Sequence, residues 1–182
     1  MGLRTFALNV TLDGCCDHRE MVADDEMLRY WTRLMDAAGA VLFGRRTYEL
    51  MEDAWPQVAR DPKATPSNRN GAKKLEAKPT YAVSTTRCDL PWSNTHHLEA
   101  DLTRAVKAVK KATPRGVLVG SPQFSAALQR RHLVDEYRLV VHPVVAGQGP
   151  FLFSGLKPSL HLKFVAATRL KSGIVALHHR RR

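Results

Sequence analysis

Two short segments of this 182-residue chain combine residue types that can hold phosphate. One is Gly44-Arg45-Arg46-Thr47-Tyr48-Glu49, which follows the apolar run Ala40-Val41-Leu42-Phe43. The other is Gly120-Ser121-Pro122-Gln123, which follows Gly116-Val117-Leu118-Val119. Each reads as a strand that ends in glycine and turns into a helix. Such a turn presents backbone N–H groups that have no partner within the helix, together with the positive end of the helix dipole, and both suit an anion. Gly44 lets a ligand approach the backbone closely. Arg45 or Arg46 can fork onto a phosphate in a geometry lysine cannot match. Two such turns in one small chain predict a phosphate-rich cofactor of the dinucleotide kind. The same letters also fit a plain strand-to-helix turn with two solvated arginines.

The elements that must position these turns follow from periodicity. Leu3 to Thr11 reads as a first strand, broken at Leu12-Asp13-Gly14. After the acidic run Asp24-Asp25-Glu26, the residues Met27, Tyr30, Trp31, Leu34 and Met35 recur at helical spacing up to Gly39. Ala40 to Phe43 is a short buried strand. Arg46 to Ala54 is a helix stopped by Trp55-Pro56. Residues 57 to 78 are polar and loop-like, with a short helix at Ala72 to Glu76. Thr80 to Ser84 is a strand, and Asp101 to Lys111 a helix with Asp101 as its cap. Gly116 to Val119 is a strand, Pro122 to Arg131 a helix and Asp135 to His142 a strand. Leu160 to Leu170 and Ile174 to His178 form a hairpin about Ser172-Gly173. Alternation of strands and helices predicts a mainly parallel sheet, with antiparallel strands at one edge.

Composition narrows the class. The length fits a single domain over residues 1–182 with a real core, and a quarter charged residues argues against wholesale disorder. No run reaches transmembrane length and no leader pattern opens the chain, so a soluble cytoplasmic protein is expected. Cys15, Cys16 and Cys88 give neither a disulfide framework nor a zinc spacing, and the doublets His96-His97 and His178-His179 lack partner ligands; no metal is expected. The net charge of +11 lies in scattered pairs, Lys73-Lys74, Lys110-Lys111 and Arg130-Arg131, and in Arg180-Arg181-Arg182. These read as solvated helix faces and a tail rather than as an aromatic-laced nucleic-acid stripe.

The chain resembles the dihydrofolate reductase-like fold, a three-layer α/β/α arrangement. More closely, it is similar to the reductase domain at the C-terminal end of bifunctional riboflavin-biosynthesis proteins and to stand-alone bacterial relatives. The resemblance rests on Thr11-Leu12-Asp13-Gly14, Leu42 to Glu49, Val83-Ser84-Thr85-Thr86, Val119-Gly120-Ser121, Leu133 to Leu139 and His142 to Gly149, six motifs in order over nearly the whole chain.

The resemblance implies roles. Gly44, Arg45, Arg46 and Thr47 would meet the cofactor diphosphate and the adenosine ribose phosphate. Ser84, Thr85 and Arg87 would hold the phosphate that separates NADPH from NADH. At Gly120, Ser121, Pro122 and Gln123 the backbone would face the pyrophosphate; Ser121 replaces the second glycine of many folate reductases and agrees with the stand-alone branch. Backbone of Val10 and Thr11 would touch the nicotinamide carboxamide. Asp13 would orient substrate or deliver a proton through water, or else serve only as a turn residue. Counting back from Gly44 places Met27 where folate reductases keep a substrate-binding carboxylate, while a shifted register brings in Glu26, Asp25 or Asp24, of which Glu26 is taken as the catalytic acid. Tyr30 and Trp31 either stack on a flat heterocycle or pack in the core. Asp135-Glu136-Tyr137 reads as structural, Gly147-Gln148-Gly149 as a flexible loop near the site mouth, and the C-terminal hairpin as a dimer element.

The expectation is therefore an NADPH-dependent reductase, homodimeric, acting on a small heterocyclic substrate of the pyrimidine or pteridine kind or on the ribosylamino-pyrimidine intermediate of riboflavin synthesis. No zinc deaminase motif accompanies it. The alternatives are a non-catalytic dinucleotide-binding protein of the same fold and, from charge alone, a basic nucleic-acid binder; neither a specific nucleic-acid site nor a membrane is expected.

Overall fold

The computed structural model describes residues 2–98 and 101–182, apart from the side chains of Phe124 and Ser125. Eight strands form one sheet in the order β4-β3-β2-β5-β1-β6-β8-β7. They are β1 (Arg4–Thr11), β2 (Ala40–Gly44), β3 (Thr80–Val83), β4 (Thr95–Leu98), β5 (Val117–Val119), β6 (Glu136–His142), β7 (Leu162–Arg169) and β8 (Val175–Arg181). Strands β1 to β6 run parallel, and β8 and β7 continue antiparallel. Among the described residues, five α-helices cover the two faces: α1 (Asp25–Ala37), α2 (Arg45–Arg60), α3 (Pro66–Glu76), α4 (Leu102–Ala112) and α5 (Pro122–Arg130).

The period of two along each strand sorts side chains between the layers. Phe6, Leu42, Val117, Val119 and Tyr137 face α4 and α5, packing with Val106, Val109 and Leu128. Ala7, Val41, Phe43 and Leu118 face the other way, onto Met35 of α1, Tyr48 of α2 and Leu75 of α3. The N-terminal half of α1 lies across β6 and β8, where Met27 and Tyr30 meet Val140, Leu170, Ile174 and Ala176.

Three local expectations are corrected. Helix α2 does not stop at Trp55-Pro56 but runs through Pro56 to Arg60. Proline removes one helical hydrogen bond, yet Trp55 packs into the core and Ala59 is buried, so tertiary burial outweighs the loss. The polar stretch 57–78 is mostly helix: Thr65 accepts from the Asn68 N–H and Pro66 takes the first turn, a start signal that the Thr-Pro pair carries in sequence. Gly71 inside α3 faces Thr32 and Trp55, where a Cβ would stand 3.5 Å from Thr32 Oγ1 and 4.0 Å from the Trp55 ring, ordinary contact distances. Strand β4 was not expected. Its four residues pair with β3 from Thr80↔Thr95 to Val83↔Leu98, Tyr81 lies 5.2 Å from the His96 ring, and His97 Nε2 is 2.8 Å from the Ser84 carbonyl oxygen. The hairpin turn is as expected, with Gly173 N–H donating to Leu170 and Leu170 N–H to Ile174.

Basic residues that are scattered in sequence gather at the edge where the parallel strands begin. Asp135 binds Arg4 (2.7 Å) and Lys110 (3.1 Å), its carbonyl accepts from Arg181 N–H, and Glu136 binds Arg180 (2.7 Å). Helices α4 and α5 end here with Lys110-Lys111 and Arg130, and cations at helix C-termini are favoured by the dipole. Among the described residues, no helix is long and apolar enough to cross a membrane.

Candidate functional site

The central strand β5 is short. Its pairing with β1 ends at Phe6↔Val119 and with β2 at Leu42↔Val119, whereas β1 runs on beside β6 to Thr11↔His142 and β2 beside β3 to Gly44↔Val83. The chain therefore leaves β5 at Gly120 between two strands that continue, which makes a notch in the C-terminal edge of the sheet. From it α2 departs onto one face and α5 onto the other, the divergence at which open α/β sheets take ligands. Gly120 N–H donates to Leu42 O at 3.2 Å. A Cβ at Gly120 would lie 3.3 Å from the Phe43 ring and 3.7 Å from Ala7 O, so a side chain on the floor of the notch requires the Phe43 ring to give by a few tenths of an ångström.

The two glycine turns found in the sequence adjoin: Thr47 Oγ1 donates to Ser121 Oγ at 3.2 Å. Their helices share a further property. Helices α1, α3 and α4 have side-chain N-caps, from Asp24, Thr65 and Asp101, but α2 and α5 have none. The first-turn N–H groups of these two helices thus lack the usual side-chain acceptor, and they converge on the notch.

Beside it, the basic residues are partly engaged. Arg45 reaches Glu49 at 3.0 Å. Arg46 is exposed, and its side chain makes no hydrogen bond or ion pair among the described residues. Arg87 binds Glu52 at 2.9 Å, which raises its pKa, and lies over the Tyr48 ring, 5.4 Å from its centre. Ser84 is buried, its Oγ accepting from the N–H of Thr86 (3.2 Å) and of Arg87 (2.8 Å); it shapes the turn that carries Arg87, and the Thr85 side of that turn is exposed.

On β1, Val10 and Thr11 are buried, and the Thr11 N–H is taken by Cys15 O at 2.9 Å. Asn9, half-buried and on the same face as Ala7, is a residue that sequence reasoning missed; its signal is a polar side chain inside an apolar strand. Trp31 Nε1 donates to Asn9 Oδ1 at 3.0 Å, which leaves the Asn9 NH2 as a donor beside the notch. Tyr30 is corrected to a core residue: it is 8 % exposed and packs edge-on against Trp31, so a stacking role is left to half-buried Trp31.

The acidic candidates are also placed. Glu26 accepts from Lys171 N–H at 2.7 Å and so fastens the β7–β8 turn, on the far side of β6 from the notch. Asp24 is nearer the end of β6. It caps α1 through the Met27 N–H at 2.7 Å, and that bond, with one from Ser172, lowers its pKa. Across from it His142 is buried, Nε2 has no partner, and burial lowers its pKa. Asp13 is held ionised, its pKa lowered to about 2 by the Thr11 hydroxyl and then by the Gly147 N–H at 2.8 Å. An ionised carboxylate can orient or accept, but it does not donate a proton at neutral pH.

The glycine loop after β6 is not loose. Leu12 N–H bonds Val144 O, Cys16 N–H bonds Pro150 O and Leu152 N–H bonds Gly14 O, so residues 144–152 are laced to 12–16. Gly149 (φ +135°) packs on Cys15 with no space for a Cβ. Two hollows, of about 200 Å³ beside this lacing and about 320 Å³ near the opposite edge between α1 and β6, are separate from the notch. Among the described residues no group of three or more His, Cys, Asp or Glu could hold a metal ion.

Comparison with known proteins agrees with this architecture. The family model of the RibD C-terminal domain matches residues 5–176. An uncharacterized Bacillus subtilis protein, YyaP, is 26% identical over 176 residues, covering 93% of this chain and 90% of its own. Among solved structures, a Shewanella sp. PV-4 protein assigned to riboflavin biosynthesis superposes with a TM-score of 0.74 at 14% identity, covering 99% of both chains. A Thermotoga maritima diaminohydroxyphosphoribosylaminopyrimidine deaminase/5-amino-6-(5-phosphoribosylamino)uracil reductase gives 0.69 at 14% identity, and Acinetobacter baumannii RibD gives 0.63 at 18%. This chain is matched in full by those two but spans only 57% and 58% of their lengths.

Proposed function

Because this chain belongs to the RibD C-terminal domain family, we propose that it is an NADPH-dependent reductase that passes hydride to a flat pyrimidine- or pteridine-like heterocycle, or to a ribosylamino derivative of one. The observation that carries the reading is the convergence of the two uncapped helix starts, α2 and α5, on one notch floored by Gly120. A diphosphate there would accept from first-turn N–H groups to which no N-cap side chain is bonded. When bound, NADPH supplies the hydride. The chain's own groups do the rest. Arg46 and Thr85 stand free at the ribose-phosphate side, Val10 forms the wall beside the nicotinamide, Asn9 Nδ2 offers a donor to a ring carbonyl or nitrogen, and Asp13 stays charged as an acceptor.

Titration with NADPH and with NADH, followed through the fluorescence of Trp31, Trp55 and Trp92, tests this. The Arg45→Ala/Arg46→Ala variant should weaken NADPH by roughly 10- to 100-fold, the loss of one or two charge-assisted bonds, and NADH far less. Equal weakening of both, or no binding of either, refutes the reading. A second reading, a dinucleotide-binding protein without turnover, is favoured by the engaged or ionised state of Asp13, Asp24 and Glu26. NADPH oxidation in the presence of pteridines, dihydrofolate and the riboflavin intermediate separates the two.

We propose also that the chain is a homodimer through β7. That edge strand is exposed along its length, with Phe164 59% and Val165 41% accessible. Sedimentation should show a dimer that Phe164→Lys dissociates.

A further inference from the structure

The carboxylate of Glu49 lies between two guanidiniums from segments that follow different strands. Its Oε1 is 3.0 Å from Arg45 Nη1, at the end of β2, and 3.9 Å from Arg87 Nη1, in the turn after β3. An Arg45–Glu49 pair one helical turn apart would by itself be an ordinary surface pair. The approach of the second arginine to the same oxygen is what differs. It marks a point where the fold gathers two cations on one anion, at the adjoining ends of two paired parallel strands.

The two arginines are held unequally. Arg87 is fixed by Glu52 and by the Tyr48 ring, with its backbone N–H anchored on Ser84. Arg45 has Glu49 as its side-chain partner and is 42% exposed. Glu49 itself is 35% exposed, so the cluster is open to solvent and its ion pairs can exchange with an external anion.

Resting on the reductase reading above, we propose that Glu49 is an internal stand-in for the adenosine ribose phosphate and thereby sets the preference of the site between NADPH and NADH. A phosphate carries more negative charge than a carboxylate and has three acceptor oxygens. It displaces Glu49 from Arg45 and Arg87, and the displaced carboxylate repels it. NADH has no group that needs this place, so Glu49 does not oppose it. Glu49 is thus a specificity-determining residue that weakens NADPH selectively.

The test is Glu49→Gln, which keeps length and hydrogen bonding while removing the charge. NADPH and NADH are titrated by tryptophan fluorescence, and adenosine 2′,5′-bisphosphate and AMP by calorimetry. The variant should bind NADPH and the bisphosphate about three- to tenfold more tightly, leave NADH and AMP within about twofold, and lose most of the gain in about 0.5 M salt. Asp53→Asn removes the same charge from the exposed surface of α2 and should leave the ratio unchanged. If both dinucleotides bind and Glu49→Gln leaves their ratio as it was, or if Asp53→Asn shifts it equally, the proposal is overturned and the reductase reading stands. If neither dinucleotide binds to either protein, both fall together.

Discussion

Gly120→Ala should separate cofactor binding from folding. The added Cβ lies 3.3 Å from Phe43 Cε1 and 3.7 Å from Ala7 O. Normal carbon contacts are about 3.5–4.0 Å, so the Phe43 ring must give by a few tenths of an ångström, a mild overpacking of about 1 kcal/mol. Gly120 is not among the glycines with positive φ, so alanine adds no backbone strain and restricts the unfolded chain, a gain of about 0.4–1 kcal/mol. The two effects nearly cancel, and the melting temperature should move by only a few degrees. Binding is not so protected. A methyl on the floor of the notch holds a diphosphate away from the N–H groups of the adjoining turns. Losing one charge-assisted bond costs about 1.5–3 kcal/mol, roughly a 10- to 150-fold rise in the dissociation constant. Calorimetric melting and NADPH titration of the same preparation read both quantities. A folded Gly120→Ala protein that binds NADPH as the wild type does would refute the placement of the diphosphate at this notch.

Two other perturbations test how the edges of the sheet are held. Burial alone would raise the pKa of Asp135, but the bonds from Arg4 and Lys110 bring it from 3.8 down to about 2, equivalent to roughly 2 kcal/mol of stability at neutral pH. Because the folded pKa is the lower one, that contribution is complete above about pH 4 to 5 and disappears as pH falls through about 2. Urea unfolding of Asp135→Asn should show the full deficit at pH 7 and a shrinking one in acid; a constant gap would contradict the linkage. At the other edge, Asp13→Asn should speed amide exchange at Ala146 and Gly147, the donors to its carboxylate. Wild-type protection there, corrected for intrinsic exchange, should hold at neutral pH and fade as pH drops from 3.8 toward about 2. Unchanged exchange in the variant would show that Asp13 does not lace the loop.

Local features were legible in the sequence because they depend on neighbours within one or two turns. The Asp101 cap, the acidic start and apolar stripe of α1, the glycine ends of β2 and β5 and the Ser172-Gly173 turn all follow from residues close in the chain. What joins distant segments was not legible. Thr47 and Ser121 are 74 residues apart, and their contact exists because β5 inserts between β1 and β2, a strand order that no local pattern encodes. The same holds for Trp31 turning the Asn9 amide, for Glu26 being spent on the β7–β8 turn, and for β4, whose four residues, three of them polar, become a strand only through β3. Scattered basic pairs became a rim opposite the notch because α4 and α5 run back along the sheet and end where the parallel strands start. Residue type and short spacing determined which groups could hold a phosphate; burial and long-range pairing decided which of them stand together and which were already occupied.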